Sequence, residues 1–200
     1  MHCIVLLGAP GSGKGTQAAM LSRDLLIPHI STGDILRKNK DPKIQALLSS
    51  GQLVSDEQMI TMVAERLAQE KKGWILDGFP RTIPQAESLH SFPLKVIYLQ
   101  IDDATVEKRL TLRRTCSNCG AIYHLENKPP KKDSLCDLCS GPLIQRSDDR
   151  PEVVLARLKT YHTKTAPLIE FFSKLGILTE IPSSGTPEIT HTLLMREIAR

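Results

Sequence analysis

Short apolar runs alternate with longer stretches of helical spacing along this chain. Residues 3–7, Cys-Ile-Val-Leu-Leu, are an unbroken apolar run, which predicts a strand covered on both faces. Residues 14–26 then place Ala18, Leu21 and Leu25 on one face of a helix. Further strands are predicted over 27–30, 74–77, 96–101 and 177–181, and helices over 35–48, 56–69, 83–89, 104–113 and 151–174. Strands alternating with helices predict a parallel sheet with helices on both faces, joined by right-handed crossovers. The rhythm fails between Thr115 and Pro142, where Gly, Pro, Cys and Lys dominate, and returns at Pro151. Residues 112–149 therefore read as an insertion too small to hold a large core. There is no internal repeat and no low-complexity tail.

The first strand runs into Gly8-Ala9-Pro10-Gly11-Ser12-Gly13-Lys14-Gly15-Thr16 and then into the first helix. Against the phosphate-loop pattern G-x-x-x-x-G-K-[ST], Gly8, Gly13 and Lys14 fit, while Gly15 takes the Ser/Thr place and Thr16 follows one later. The physics survives that shift. Glycines let successive N–H groups turn toward one anion, the helix N-terminus adds its positive end, and Lys14 supplies a flexible charge. A plain glycine turn with an exposed lysine is the alternative, and the strand before with the helix after argues against it.

A second anchor is Trp74-Ile75-Leu76-Asp77-Gly78-Phe79-Pro80-Arg81. An apolar strand ending in Asp suits the acid that faces magnesium or its water shell beside a phosphate loop. Alone, Asp77 could equally cap the next helix; the upstream loop favours the nucleotide reading. Gly78 and Pro80 make a tight turn that aims Arg81 at the strand ends, where α/β sheets bind ligands.

Composition narrows the classes. The 200 residues suit one ordinary domain with a small insertion, and 40% hydrophobic with 24% charged residues argues against disorder. Aromatics at 4% leave the core to Leu, Ile, Val and Ala. A formal charge of +4 is too small to mark a nucleic-acid binder. No apolar run approaches the roughly 18 residues of a membrane span. The N-terminus lacks the features of a signal peptide, so a cytoplasmic protein is expected. Reduced thiols then disfavour disulfides. Cys3 reads as a small core hydrophobe. Cys116-x2-Cys119, sixteen residues, then Cys136-x2-Cys139 matches a closed four-thiolate zinc site of structural type, which iron could also occupy. Lys128, Lys131 and Lys132 between the pairs raise a nucleic-acid-binding ribbon as an alternative. Only Tyr123 offers a stacking ring there, and solvated lysines are the simpler account.

Five ordered motifs carry a resemblance over almost the whole chain: GAPGSGKGTQ at 8–17, ISTGD at 30–34 with Arg37, GQLVSDE at 51–57, LDGFPRTIPQA at 76–86, and RSDD at 146–149 with Arg157. Together they resemble adenylate kinase, with a long, zinc-containing bacterial lid. The resemblance implies the nucleoside monophosphate kinase fold, a five-stranded parallel sheet flanked by helices with a small lid. It also implies the reaction MgATP + AMP ⇌ 2 ADP by a monomer, with no nucleic-acid or membrane partner. The implied domains are a core (1–30, 55–111 and 150–200), a mobile AMP-binding segment (31–54) and a mobile lid (112–149). Carried over by motif, Gly11, Ser12, Gly13, Lys14, Gly15 and Thr16 hold ATP phosphates. Arg113, Ile122 and Tyr123 meet ATP from the lid side, and Pro187 touches its adenine through the backbone. Thr32, Arg37, Gln52, Leu53, Val54, Gly78, Phe79, Pro80, Arg81 and Gln85 hold AMP. Arg146 and Arg157 close over the phosphates being exchanged, and Asp77 holds magnesium through water. Three departures stand out: the segment between Ser31 and Val54 is shortened, Leu112 replaces a glycine at the lid entry, and the loop 183–187 matches weakly.

The chemistry expected of such a site is positioning and charge stabilisation. Lys14, Arg81, Arg113, Arg146 and Arg157 are the candidate catalytic cations, the arginines suited by their two-pronged grip on phosphate oxygens. The Gln85 amide, with a donor and an acceptor, suits the N1 and N6 edge of adenine. Arg109 is left as either a solvated charge or a site residue. A kinase for another nucleoside monophosphate, a zinc-ribbon ATPase acting on nucleic acid and a non-catalytic nucleotide-binding regulator are the rival readings.

Overall fold

A computed structural model describes residues 2–199. Met1 and Arg200, the two ends of the expected core, lie outside the described residues. Five parallel strands form the main sheet in the order β2-β3-β1-β4-β8: β1 (His2–Leu7), β2 (His29–Ser31), β3 (Gly73–Asp77), β4 (Leu94–Gln100) and β8 (Leu178–Pro182). Strand alternation sorts the side chains to opposite faces. Cys3, Val5, Leu7, Trp74, Leu76 and Val96 face one helical layer, and Ile4, Leu6, Ile75, Ile97 and Leu99 face the other. Both faces are covered, which is why these strands read as continuous apolar runs. Trp74 meets Phe92 edge-on at 5.4 Å on the first of these faces.

The helices are α1 (Lys14–Leu25), α2 (Thr32–Lys38), α3 (Pro42–Ser49), α4 (Asp56–Leu67), α5 (Ile83–Glu87), α6 (Asp103–Thr111), α7 (Pro151–Thr160), α8 (Pro167–Lys174) and α9 (Pro187–Ile198). Three differ from the spacing-based expectation. The single helix expected over 35–48 is two, because Pro42 forces Asp41 extended and opens α3, whose first turn Asp41 caps by accepting from the Lys43 N–H. The long helix over 151–174 is interrupted by a wide turn at Tyr161–Thr165, where the Ala166 N–H reaches back to the Tyr161 carbonyl at 2.8 Å. Helix α9 was not expected. Its inward positions Thr190 and His191 are polar, which hides the apolar stripe completed by Leu194 and Ile198.

Within the insertion the chain forms a second, antiparallel sheet in the order β6-β5-β7: β5 (Arg113–Cys116), β6 (Ile122–His124) and β7 (Leu143–Ile144). These strands are two to four residues long and carry Arg, Thr and Cys. They have too little apolar alternation to be read from sequence. Their buried centre is Cys116, Tyr123 and Cys136, with Ala121 and Leu143 packed against it.

Candidate active site

The carboxyl ends of β1, β2 and β3 open into one crevice, carrying the Gly8 loop, Thr32 and Asp77 respectively. The loop after β1 needs its glycines. Gly8, Gly11 and Gly13 have φ of 145°, 79° and 98°. A Cβ on Gly8 would also sit 2.6 Å from Ser12 Oγ and 2.8 Å from the Leu99 carbonyl. Helix α1 starts at Gly13 without a capping side chain and without an acidic residue in its first turn, whereas Ser55 and Asp102 cap α4 and α6. An uncapped N-terminus leaves N–H groups and the positive helix end for an anion. Ser12 Oγ is buried in the loop with no protein partner.

Lys14 folds back over this loop, its Nζ donating to the Gly8 and Ala9 carbonyls at 2.7 and 2.8 Å. Burial pushes its pKa down to about 8; Asp77 works against that, while Arg81, Arg157 and Arg113 add to it. Burial also lowers Arg81 to about 10, with Arg157 the next cause, and lowers Arg146 to about 10, with Arg113 next. The cations repel one another across one space, the electrostatic mark of a site built for a polyanion.

Two carboxylates hold the cluster together. Arg113 makes a two-pronged pair with the fully buried Asp149, Nε to Oδ2 at 2.8 Å and Nη2 to Oδ1 at 2.5 Å. Arg157 Nη1 lies 3.1 Å from both Asp148 Oδ2 and Asp149 Oδ1, and Arg37 Nη1 is 3.9 Å from Asp148 Oδ2. Burial alone would raise the Asp148 pKa, but Arg157, Arg37, Arg113 and Arg146 together hold it below the ordinary carboxylate range. These aspartates were given no role from sequence, although they stand in the RSDD motif. Arg146 donates to Thr115 Oγ1 at 2.9 Å. Arg81 donates through Nε to the Gly78 carbonyl, and its own carbonyl accepts from Thr165 Oγ1 at 3.0 Å, out of the wide turn before α8.

Asp77 ends β3 beside Gly15, where a Cβ would lie 3.3 Å from Asp77 Oδ2. Burial raises its pKa, but His29, Lys14 and Arg81 outweigh that and keep it ionised. Thr32 is buried, donating to the Asp77 carbonyl at 3.3 Å. Gly78 has φ 84°, and Phe79 and Pro80, joined by a cis bond, are buried and support the turn. Gln85 is buried at 2% exposure. On the same side, Gln52 is exposed and Leu53 half-buried, while the Val54 side chain packs into the core.

The small sheet lies against the glycine loop: a Cβ on Gly15 would come within 3.7 Å of Ile122 Cδ1. Tyr123, expected to meet ATP from the lid side, can do so only through its backbone, because its ring is turned into the small sheet's centre. Alternation along β6 sends that ring to the cysteines, where its hydroxyl accepts from the Asp137 N–H at 2.7 Å and lies 3.5 Å from Cys136 Sγ. Cys116, Cys119, Cys136 and Cys139 bring their Sγ atoms within 4.8 Å of one another. The 3.4 Å between Cys116 and Cys139 and the 3.6 Å between Cys119 and Cys136 are close to the ~3.8 Å edge of a four-thiolate zinc tetrahedron. The donor set and spacing fit such an ion.

Pro187 is exposed at the start of α9, and its carbonyl accepts from Gln17 Nε2 at 2.8 Å. Nearby, Arg109 bonds the Ser184 and Gly185 carbonyls at 3.0 and 3.3 Å, so it is no free surface charge. With Lys108, His124 and Asn127 it lines a cleft of about 350 Å³ that sequence spacing did not reveal.

The family described as Adenylate kinase matches residues 6–177. The chain is 45% identical to the adenylate kinase of Finegoldia magna over 207 aligned residues, covering 96% of each chain. It is 48% identical to that of Geobacter sp. (strain M21), over 92% of this chain and 94% of the other. It is 46% identical to that of Treponema denticola, over 94% of both.

Proposed function

The chain belongs to the adenylate kinase family and is an ATP:AMP phosphotransferase, and from that premise we propose how its own residues carry MgATP + AMP ⇌ 2 ADP. The observation that carries the reading is the crowding of Lys14, Arg37, Arg81, Arg113, Arg146 and Arg157 around one space lined by the glycine loop. Two nucleotide phosphate chains bring the negative charge this crowding lacks.

Gly11–Thr16 hold the ATP phosphates on the open end of α1, with Lys14 released from the Gly8 and Ala9 carbonyls to reach the outer ones. The Arg109 and His124 cleft receives the ATP base, between α6, β6 and the loop before α9. Arg113, Arg146 and Arg157 face the transferred group, and charge is stabilised most as it spreads over the moving phosphoryl oxygens. Arg37 and Arg81 hold the AMP phosphate, with Thr32, residues 52–54 and Gln85 on the nucleoside side. The AMP oxygen is already ionised, so no strong base is needed. Magnesium supplies charge neutralisation between the outer phosphates when bound, and Asp77 is placed to hold its water shell. Ile122 and the small sheet keep water off the glycine loop, which favours AMP over water as acceptor.

The division into a core, an AMP segment over 31–54 and a lid over 112–149 is part of this proposal. So are zinc in the cysteine cluster and a monomer working in a reducing cytoplasm. No helix among the described residues is long and apolar enough to cross a membrane. The test is ADP formation from MgATP with AMP, set against other monophosphate acceptors. ADP formation confined to another acceptor would overturn the AMP assignment.

A further inference from the structure

We propose that Asp56 sets which purine the acceptor site takes, by fixing the orientation of the Gln85 amide; this rests on the reading that Gln85 meets the acceptor's base. Asp56 opens α4 directly after its capping Ser55. Its Oδ1 accepts from Gln85 Nε2 and from Thr82 Oγ1, both at 2.8 Å. At the other end of the amide, Gln85 Oε1 accepts from the Arg81 N–H, also at 2.8 Å.

An ionised carboxylate can only accept and a backbone N–H can only donate. The two ends of the buried amide are therefore distinguished by their partners. A flip would set acceptor against acceptor at Asp56 and donor against donor at Arg81. Thr82, which caps α5 and bonds the same carboxylate oxygen, fixes Asp56 in turn.

Gln85 is left with one N–H on Nε2 and one lone pair on Oε1. A donor beside an acceptor complements adenine, whose N1 accepts and whose N6 amino group donates. Hypoxanthine reverses the pattern, with a proton on N1 and a carbonyl at C6, and suits the flipped amide. Shape barely separates the two bases, so orientation of the amide is what separates them. Asp56 is a positioning residue, acting through Gln85 and touching no substrate.

The test compares kcat/KM for AMP and for inosine monophosphate, at saturating MgATP, in the wild type, Asp56→Asn, Asp56→Ala and Gln85→Ala. Asparagine keeps the shape but can turn either atom to Gln85, which removes the sorting at that end. The AMP-to-inosine-monophosphate ratio should fall about tenfold in Asp56→Asn, the scale of one hydrogen bond to a charged group. The KM for AMP should rise with the KM for MgATP unmoved. Asp56→Ala should lose the ratio as well, and a cooperative melt in either variant shows that the sheet has folded. Gln85→Ala should lower the ratio further. A ratio unchanged in both Asp56 variants, while Gln85→Ala lowers it, would overturn the role of Asp56 and leave Gln85 as the reader. A ratio unchanged in all three would overturn the reading of Gln85 and the proposal with it. Equal rises in both KM values would show Asp56 to be purely structural, and would also overturn it.

Discussion

Lys14 shows how far one residue's chemistry departs from its ordinary value. Burial in the loop, with the neighbouring arginines adding to it, pushes its pKa down to about 8. In the proposed site it must be charged to hold phosphate, and the phosphate in turn favours the charged form. MgATP binding above pH 8 is therefore coupled to proton uptake. The KM for MgATP is expected to stay level below pH 8 and to climb toward tenfold per unit above it. The KM for AMP should show no such limb. For Lys14→Met the limb should vanish, with kcat down by about 10²–10³-fold, the scale of one lost charge-stabilising donor. A KM profile flat through pH 9.5 in the wild type would count against the buried ammonium as the phosphate ligand. Lys14 and Arg81 could be read from local signals, a glycine loop and the tight turn after an apolar strand, whereas Arg157 came only with the family resemblance. Asp148 and Asp149 were not assigned, because their role exists only once arginines from α2, β5 and α7 meet around them. The direction of the Tyr123 ring was also illegible until β6 had a register.

At the scale of elements, β6 carries two environments on neighbouring residues. Ile122 faces the glycine loop and Tyr123 faces the cysteines. The Tyr123 hydroxyl accepts a hydrogen bond from the Asp137 N–H and lies 3.5 Å from Cys136 Sγ, a contact that lowers that thiol to about 6. Outer partners of this kind tune metal affinity by roughly 10–100-fold. Tyr123→Phe should lose zinc to a competing chelator by about that factor, with the melting of the main sheet unchanged. Unaltered metal retention would show the hydroxyl to be only a packing feature. The elements themselves divide by length. The main strands and α1, α4 and α6 were legible because their apolar periods run for several residues. The two-residue β7, the break at Pro42 and the wide turn at Tyr161–Thr165 have no such period. Prolines at 42 and 167 were the available signals, since each opens a helix.

For the whole molecule, the two sheets are stabilised differently. The five-stranded sheet has thick apolar layers on both faces, each large buried side chain contributing roughly 1.5–3 kcal/mol. The three-stranded sheet has only Tyr123, Ala121 and Leu143 packed around its thiols. Stripping metal with a chelator should therefore open amide exchange over 113–144 and leave β1, β3 and β4 protected. Cys116→Ser should do the same, and protection retained throughout that segment without metal would refute it. The aspartates at 148 and 149 have a further effect, on how the protein trades with the salt around it. A bare cluster of arginines would gather dissolved anions, and each nucleotide would have to displace them. Here the displaced partners are tethered to the chain, so they neither dilute away nor compete more strongly as salt is added. MgATP affinity should change little between low and moderate potassium chloride, whereas Asp149→Asn, which frees Arg113 and Arg157, should make it fall steeply with added salt. At Arg113 and Arg157 the enzyme carries its own electrolyte, and dissolved anions are left the cations that neither aspartate covers.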